Sequence, residues 1–331
     1  GGDPWLAVTL PGVDRVVVLA DRAGWRQLDE IAVGDEPYGT CSADLDGDGR
    51  PEAVVAQRGR LSGDLCIMAR AADASVATRT ARVPGLTAGM PAAYDGDGDG
   101  RDELVVADRD VARVDFLGAV GEDLVPLGSL ALAVPAPDLL TWTLADGSPA
   151  LLALNADRGA VEFASRGGGT WQWHAAYYPG CRPLAAVSFD ADGDGRRDVA
   201  SVGKDASVLT LMLARPGPGF WGLPTIAIDV LPGGLAHADF DGDARPDVMV
   251  ASALGTGLSL YAATAGGSLA TIAVPVDPGF ANGRLVPLQV DADAEAEIAV
   301  LDAGAFAVVV LDREPGGTYR ELSRTPLGSF P

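Results

Sequence analysis

Positive charge and histidine are scarce in this chain. Its 331 residues carry 24 Lys and Arg against 46 Asp and Glu, a net charge of −22, and Lys204 is the only lysine. Binding to nucleic acid or to an anionic membrane surface needs a basic face, so we expect neither partner. The two histidines, His174 and His237, stand in no Ser-His-Asp, Cys-His or zinc-type spacing. The composition therefore leaves few histidine and lysine side chains for acid–base catalysis.

Long apolar runs and paired cysteines are also missing. No apolar run approaches the roughly 20 residues that a membrane-spanning helix requires, so we expect no membrane insertion. The odd cysteine count leaves a free thiol, and we expect Cys41, Cys66 and Cys181 to be small buried residues rather than disulfide partners. The given sequence does not open with a basic segment followed by an apolar stretch, so no signal peptide is in view. Apolar residues make up 48 % of the chain, which is enough for a substantial hydrophobic core.

One acidic pattern of nine residues recurs along the chain. The best copies read DLDGDGRPE, DGDGDGRDE, DADGDGRRD and DFDGDARPD, and two decayed copies read WTLADGSPA and QVDADAEAE. In chain order the six copies begin at residues 44, 95, 142, 190, 239 and 289. Successive starts are 51, 47, 48, 49 and 50 residues apart, which indicates a structural repeat of one supersecondary unit.

Short apolar runs follow each copy and predict strands. Each repeat contains four such runs, bounded by Gly, Asp or Pro, and four short strands in about 48 residues are typical of one antiparallel propeller blade. No segment shows a convincing helical period, so we expect almost no helix. At the N-terminus only three strands match the repeat, and Trp5–Leu10 aligns with Ala150–Asn155. We therefore predict an all-β, seven-bladed β-propeller of four-stranded blades with a three-stranded N-terminal blade. Six full blades with an N-terminal appendage is the alternative.

The repeat also predicts how the chain is divided. We expect a single β-propeller domain over residues 1–331. Its repeat units are predicted at approximately 1–38, 39–88, 89–137, 138–183, 184–233, 234–283 and 284–331.

The acidic pattern has the chemistry of a calcium loop between strands. Carboxylates alternate at positions 1, 3 and 5, Gly or Ala at positions 4 and 6 permits a tight curl, and a further carboxylate stands at position 9. With the main-chain carbonyl of position 7, the ligands are all oxygen, which suits Ca²⁺ better than Mg²⁺. No loop contains His or Cys, which argues against zinc. The alternative is an acidic turn that binds no cation. The recurrence of near-identical copies at a regular spacing argues against this alternative.

The predicted ligands fall into complete and weak sets. Counting the carbonyl at position 7, the four main sets are Asp44, Asp46, Asp48, Arg50 and Glu52; Asp95, Asp97, Asp99, Arg101 and Glu103; Asp190, Asp192, Asp194, Arg196 and Asp198; and Asp239, Asp241, Asp243, Arg245 and Asp247. A weaker fifth set comprises Gln289, Asp291, Asp293, Glu295 and Glu297. The copy at Trp142 keeps only Asp146 and is predicted to hold no metal, with apolar packing in its place. We expect about four calcium ions, and a fifth if the weak set binds.

The loop and the strand after it resemble a known repeat. Asp-x-Asp-Gly-Asp-Gly-Arg-x-Asp/Glu followed by Val-Val-Ala resembles the FG-GAP and VCBS repeats of integrin α-subunit propellers and bacterial surface proteins. Tyr38-Gly39 is similar to the family's Phe-Gly element, and Thr170-Trp171 is similar to part of its Gly-Thr-Phe turn. The family's Gly-Ala-Pro signature is absent. The resemblance implies that the calcium loops lie on one face and stiffen the scaffold, while ligands meet the opposite face or the rim.

One aromatic segment has no counterpart in the other repeats. Trp173, His174, Tyr177 and Tyr178 lie close together in the sequence, and they could stack against a sugar or pack between blades. Packing is the interpretation we favour, and we expect a packing or metal-supporting role for His237 as well.

These observations favour a non-catalytic binding protein. We predict a secreted or cell-surface calcium-binding propeller that acts as a monomeric ligand-binding or adhesion module, with a protein or glycan ligand. The alternative is a polysaccharide lyase or hydrolase on the same scaffold. Because millimolar calcium would fill several weak sites outside the cytosol, we expect an extracellular, periplasmic or cell-surface location.

Overall fold

Short antiparallel strands make up most of the chain. The computed structural model describes residues 4–328, except for 22–24, 35, 58–63, 72, 74, 109, 137, 223–224, 229, 254–256, 265–266, 273–280, 292, 303 and 316, and for the side chains of 272 and 281–284. Within these ranges the only helical segment is the 3₁₀ turn Pro11–Val13. No helix of this described part is long and apolar enough to cross a membrane.

The first four sheets follow one another along the chain. Blade 1 comprises β1 (Trp5–Leu10), β2 (Arg15–Asp21) and β3 (Trp25–Ala32). Blade 2 comprises β4 (Pro37–Ala43), β5 (Glu52–Gln57), β6 (Asp64–Arg70) and β7 (Val76–Arg82). Blade 3 comprises β8 (Ala88–Tyr94), β9 (Glu103–Asp108), β10 (Arg113–Val120) and β11 (Asp123–Ala131). Blade 4 comprises β12 (Asp138–Thr143), β13 (Pro149–Asn155), β14 (Ala160–Gly167) and β15 (Thr170–Tyr177).

The remaining three sheets continue this order. Blade 5 comprises β16 (Pro183–Phe189), β17 (Asp198–Gly203), β18 (Val208–Ala214), β19 (Phe220–Gly222) and β20 (Ile226–Ala227), the last two both pairing with β18. Blade 6 comprises β21 (Pro232–Ala238), β22 (Asp247–Ser252), β23 (Leu258–Ala263) and β24 (Leu269–Ile272). Blade 7 comprises β25 (Ala281–Leu288), β26 (Glu297–Asp302), β27 (Ala307–Arg313) and β28 (Tyr319–Pro326).

The seven sheets form a seven-bladed propeller. In each sheet the strands pair antiparallel in chain order. The first strands of neighbouring blades contact one another from β4 through β8, β12, β16 and β21 to β25, which places them around the centre of the ring. Blade 1 has three strands, and its β1 corresponds to the second strand of the other blades. The predicted all-β, seven-bladed architecture is confirmed, and the alternative with an N-terminal appendage is wrong.

Alternating side chains along each strand hold neighbouring blades together. Because successive residues of a strand point to opposite faces, Leu151 packs toward blade 3 while Leu152 packs toward blade 5. Seven apolar clusters result, one at every interface between adjacent blades, including the interface between blades 7 and 1. The free cysteines contribute to this interior: Cys66 and Cys181 are buried and Cys41 is half-buried. Burial raises the pKa of the Cys66 and Cys181 thiols.

Side-chain packing closes the ring. Among the described strands, none of blade 7 pairs with a strand of blade 1. Instead Val17 and Leu19 of blade 1 share an apolar cluster with Val310 and other residues of blade 7. The Thr325 hydroxyl also donates a hydrogen bond of 2.9 Å to the carbonyl of Trp25. Blade 1 is thus held between blades 7 and 2 by its two faces.

Candidate metal centres

Each acidic loop connects the first and second strands of a blade. In the loop of blade 2, the Asp44 carboxylate accepts hydrogen bonds from Gly47 N and Gly49 N, both at 2.8 Å. Gly47 and Gly49 have φ values of 76° and 78°, in the left-handed region where glycine carries no penalty. The position-1 carboxylate and two glycines therefore set the curl of the loop. The same two bonds recur in the loops of blades 3, 5 and 6.

Ala244 occupies the second glycine position in the loop of blade 6. It takes a φ of 65° and still donates its N–H to Asp239 at 2.8 Å. A side chain in the left-handed region costs about 1 kcal/mol relative to glycine. The loop thus keeps its conformation at a small cost.

The carboxylates at positions 3 and 5 complete the curl. In blade 2, Asp46 accepts from Asp48 N at 3.1 Å, and Asp48 accepts from Arg50 N at 2.8 Å. These turns bring carboxylate oxygens together, so that in each of five loops three acidic residues offer oxygens within 4.8 Å of one another. The five sets are Asp44, Asp46 and Asp48; Asp95, Asp97 and Asp99; Asp190, Asp192 and Asp194; Asp239, Asp241 and Asp247; and Asp291, Asp293 and Glu297.

Two loops depart from the predicted ligand pattern. In blade 6 the converging set contains Asp247 and lacks Asp243. The Asp243 carboxylate pairs with the Arg245 guanidinium, as Asp194 pairs with Arg196 in blade 5, where Asp194 stays in the set. In blade 7 the Gln289 amide donates to the carbonyl of Asp293 at 3.1 Å and to that of Glu295 at 3.5 Å. The amide nitrogen of Gln289 therefore braces the loop from inside, and its role as a metal ligand stays a prediction.

The blade 4 loop is a tight turn. Leu144 N donates to the carbonyl of Ser148 at 2.8 Å, and Ser148 N donates to the Asp146 carboxylate at 3.0 Å. At position 1, Trp142 is buried against Phe163, with ring centroids 5.8 Å apart. Asp146 belongs to no convergent acidic group among the described residues.

In the five acidic loops the carboxylate at position 9 lies beneath the loop, half-buried at Glu103 and buried in the other four. It accepts the N–H of position 2, as Glu52 does from Leu45 N at 2.9 Å. In blades 5 and 6 the second oxygen is also used: Asp198 accepts from Ala214 N at 2.7 Å and Asp247 from Ala263 N at 3.0 Å. Burial, reinforced by neighbouring loop carboxylates, raises the pKa of Asp198 to about 6 and that of Asp247 to about 7.

Glu297 in blade 7 has an oxygen with no partner. One oxygen accepts from Val290 N at 2.7 Å, whereas Oε1 is buried and has no hydrogen-bond partner in the described part of the chain. The side chain is only 1 % exposed, and it belongs to a convergent acidic set. An unpaired buried acceptor is costly, and a cation between these oxygens would remove the cost. The donor sets, made of oxygen alone, fit Ca²⁺.

The raised pKa of Asp247 predicts a pH dependence of the calcium-free protein. The folded state holds a proton on Asp247 up to about pH 7, whereas the unfolded chain releases it near pH 4. Between these values the folded state binds more protons, so its stability falls as pH rises. In calcium-free buffer the melting temperature should decrease from pH 5 to pH 8, and Asp247→Asn should flatten the slope. A wild-type melting temperature that stays constant over this range would contradict the assignment.

Among the described residues, main-chain hydrogen bonds join neighbouring loops in two places. Asp102, at position 8 of the blade 3 loop, donates its N–H to the Asp44 carbonyl at 2.7 Å, and its carboxylate accepts from Asp44 N at 2.8 Å. Ala296, at position 8 in blade 7, donates to the Asp239 carbonyl at 2.8 Å. Sequence reasoning missed Asp102, whose only signal is one extra carboxylate in one copy of the pattern.

A groove lies between the loops of blades 3 and 4. Its volume is about 490 Å³, and its lining includes Asp95, Asp97, Ser148, Pro149 and Arg166. Pro149 has no N–H and cannot make the bond that Asp102 makes at the same position. The Arg166 guanidinium donates to the Gly96 carbonyl at 3.0 Å and so fixes one wall.

The aromatic segment of β15 is divided between two faces of blade 4. Trp173 packs toward blade 3 and donates from Nε1 to the Ala131 carbonyl at 2.7 Å. A bulge at His174 shifts the register, so that Tyr177 packs toward blade 5 and accepts from Phe220 N at 2.9 Å.

His174 and Tyr178 are the exposed members of this segment. The His174 ring lies 5.4 Å from that of Phe163, and its Nε2 is 2.7 Å from the Ser165 hydroxyl, while Tyr178 is 64 % exposed. The structure does not bring the four side chains to one surface, and the sugar-stacking hypothesis stays a prediction. His237 stacks on Phe189 at 5.6 Å, and burial together with Arg197 lowers its pKa to about 4.

Comparisons with known proteins identify the fold. No protein-family model matches the chain, and no curated protein matches its sequence. The periplasmic gluconolactonase of Pseudomonas aeruginosa superposes with a TM-score of 0.69 at 15 % identity, covering 98 % of this chain and 96 % of that one. A candidate 6-phosphogluconolactonase from Bacteroides fragilis gives 0.69 at 12 % identity, covering 96 % and 92 %. A candidate 6-phosphogluconolactonase from Bacteroides uniformis gives 0.69 at 13 % identity, covering 93 % and 90 %. At such identities the likeness shows the seven-bladed propeller alone, and the FG-GAP and VCBS resemblance stays a prediction.

Proposed function

We propose that this chain is a calcium-binding β-propeller whose acidic loops hold Ca²⁺ as a structural ion. The observation that supports the proposal is the convergence of three acidic side chains in five loops at equivalent places of the ring. Ca²⁺ takes six to eight oxygen ligands, and carboxylates and main-chain carbonyls are its usual donors in proteins. The loops of blades 2, 3, 5 and 6 are the main sites, and the blade 7 loop is the fifth.

The energetics of the loops favour this role. Two carboxylates about 4 Å apart repel by roughly 1 kcal/mol even at the dielectric constant of water, and each loop contains several such pairs. Hydrogen bonds from main-chain N–H groups offset part of this repulsion but leave the negative charge in place. A bound cation converts the repulsion into attraction. We therefore propose that metal binding and folding are coupled.

Counting bound calcium in two matched variants tests the proposal. Asp46→Ala removes a ligand from the blade 2 loop, and Asp146→Ala removes a carboxylate from the tight turn of blade 4. Isothermal titration should show one fewer calcium ion for Asp46→Ala and no change for Asp146→Ala. Asp46→Ala should also lower the melting temperature in calcium, yet change it little in chelator. An equal loss of stability in both conditions would show that Asp46 supports the turn without binding metal.

A hydrolase is the second candidate function, and the comparisons favour it over the adhesion module. Three structures with the same fold carry the names of lactonases. The groove between the loops of blades 3 and 4 offers a place for a polyhydroxy substrate. Its polar side chains include Arg166 and Ser148, together with the carboxylates of Asp95, Asp97 and Asp146. We propose a sugar lactone as the substrate class of such an activity.

Lactone turnover and polysaccharide binding separate the two candidates. The protein in millimolar calcium would be incubated with gluconolactone and 6-phosphogluconolactone, and with a panel of soluble polysaccharides. Lactone loss above the spontaneous rate, reduced in Arg166→Gln, would support the hydrolase. Retention of a polysaccharide without new chain ends would support the binding module, and cleavage would indicate a lyase or polysaccharide hydrolase.

The calcium proposal also bears on where the protein works. Several sites of moderate affinity fill at the millimolar calcium levels found outside the cytosol. We propose an extracellular, periplasmic or cell-surface location, with which the periplasmic location in the name of the Pseudomonas aeruginosa structure is compatible. The protein or glycan ligand and the monomeric state stay predictions.

A further inference from the structure

The side chain at position 7 of one acidic loop lies over the loop of the preceding blade in two places. Arg101 of blade 3 covers Gly47 at position 4 of the blade 2 loop, where an added Cβ would lie 2.9 Å from the Arg101 Cγ and 3.1 Å from its Nε. Glu295 of blade 7 covers Gly242 in the blade 6 loop, where an added Cβ would lie 3.0 Å from both Cδ and Oε1 of Glu295. Two equivalent contacts thus bring opposite charges to the preceding loops.

Main-chain hydrogen bonds between the loops account for these contacts. The residue that follows each side chain, Asp102 or Ala296, donates its N–H to the carbonyl at position 1 of the preceding loop, at 2.7 and 2.8 Å. Each bond holds the side chain at position 7 against that loop. Blades 4 and 6 have proline at position 8, which cannot donate such a bond. A Cβ added to Gly98 or Gly193, at position 4 of the loops before them, would meet no described atom within 4 Å.

Arg101 and Glu295 bring unpaired charge to the loops that they cover. Neither side chain forms an ion pair with a described residue, whereas Arg245 at position 7 of blade 6 pairs with Asp243 of its own loop. The glycine beneath each charge donates to the position-1 carboxylate of its loop, at 2.8 Å in blade 2 and 2.7 Å in blade 6. Each charge therefore lies close to the acidic ligands, at a range where physiological salt, with a screening length of about 8 Å, leaves it effective.

We propose that these two side chains set the calcium affinity of the preceding loop: Arg101 weakens binding in blade 2, and Glu295 strengthens binding in blade 6. This effect rests on the proposed binding of Ca²⁺ and adds no ligand to the ion. Because Coulomb energies scale with the product of the charges, a doubly charged ion responds strongly to a neighbouring unit charge. In blade 6 the Arg313 guanidinium also donates to the Asp241 carbonyl at 2.9 Å, and Glu295 offsets this positive charge.

Calcium titrations followed by NMR at single loops test the proposal. The amides of Gly47, Gly193 and Gly242 are the reporters, because each donates to the position-1 carboxylate of its own loop. Arg101→Gln should lower the Kd reported by Gly47 by about threefold or more, and Glu295→Gln should raise the Kd reported by Gly242 by about threefold or more. The Kd reported by Gly193 should change by less than about 1.5-fold in both variants, because neither charge lies near the blade 5 loop.

Three control variants separate charge from packing. Arg101→Lys and Glu295→Asp keep the charge and should keep each Kd within about twofold of the wild-type value, and about 0.5 M KCl should shrink the effects of the neutral variants. Arg245→Gln removes the same group at position 7 of blade 6, where the side chain does not cover the glycine of the preceding loop. This variant should leave the Kd reported by Gly193 unchanged.

Each result either supports the charge effect or overturns it. An unchanged Kd at Gly47 in Arg101→Gln, or at Gly242 in Glu295→Gln, would overturn it and leave calcium binding intact. The same would follow if Arg101→Lys and Glu295→Asp changed the Kd as much as the neutral variants do, because packing would then be the cause. If none of the three glycine amides of the wild-type protein responds to calcium, the proposed metal binding itself fails, and the charge effect fails with it.

Discussion

Removing calcium from the wild-type protein should lower its melting temperature by more than about 10 °C. A ligand at 100 times its Kd stabilises the folded state by about 2.7 kcal/mol per site, so four sites add roughly 11 kcal/mol. The unfolding entropy of a chain of this size is roughly 0.7 kcal/mol per degree, which converts that sum to about 15 °C. The loops lie in five of the seven blades, and the whole ring should therefore respond. Differential scanning calorimetry in calcium and in chelator measures the shift.

Two controls make this measurement specific. Adding calcium back after chelation should restore the melting temperature, whereas an equal concentration of Mg²⁺ should restore less, because it prefers a smaller octahedron with retained water. If chelator leaves the melting temperature unchanged, the loops are acidic turns and the calcium proposal fails. Recovery with Mg²⁺ to the same extent would keep a metal role but change the ion.

Trp142→Ala should destabilise the protein by about 3–5 kcal/mol, the range for truncating a buried aromatic side chain. Trp142 stands where the other loops have their first carboxylate. Its ring stacks on Phe163 with an interplanar angle of 20° and approaches Phe220 at 6.2 Å, which joins blades 4 and 5. Apolar contact thus holds this turn where a metal ion would hold the others. Urea unfolding should show the same loss in calcium and in chelator.

A conservative variant tests whether the loss of stability in Trp142→Ala comes from lost aromatic packing. Trp142→Phe keeps an aromatic ring between Phe163 and Phe220 and should lose less than half of what Trp142→Ala loses. Asp146→Ala in the same loop should lose almost nothing, since its carboxylate only braces a tight turn. A loss for Trp142→Ala that appears in calcium alone would mean that this loop, too, depends on metal.

The fold and the loops could be read from the sequence because their determinants are local. In each complete loop the position-1 carboxylate bonds to N–H groups three and five residues ahead, as Asp44 does with Gly47 and Gly49. The nine residues therefore specify their own conformation wherever they occur. The regular spacing of the six copies then predicted six blades, the three N-terminal strands predicted the seventh, and the apolar runs between the copies predicted the strands.

Features that depend on more than one repeat could not be read in this way. The bond between Asp102 and Asp44 joins residues 58 positions apart, and no local pattern announces it. The sequence also did not show that Trp173 and Tyr177 pack against different blades, because a single-residue bulge in β15 exchanges the two sides of the strand. Packing closure of the ring through Thr325 and Trp25 joins residues 300 positions apart. The sequence predicted each unit well, and the contacts between units required the structure.

A proline at position 8 excludes a main-chain hydrogen bond from a loop to the loop of the preceding blade. Asp102 and Ala296 have an N–H that reaches the loop of the preceding blade, whereas Pro51, Pro149 and Pro246 have none. These bonds link the loops of blades 2 and 3 and the loops of blades 6 and 7. Among the described residues, no such bond joins the loop of blade 5 to another loop. A calcium titration should then resolve into three steps for five ions, two of them cooperative. If the loops bind calcium as proposed, an ion in the loop of blade 6 would order the carbonyl to which Ala296 bonds and so favour filling of the weak loop of blade 7.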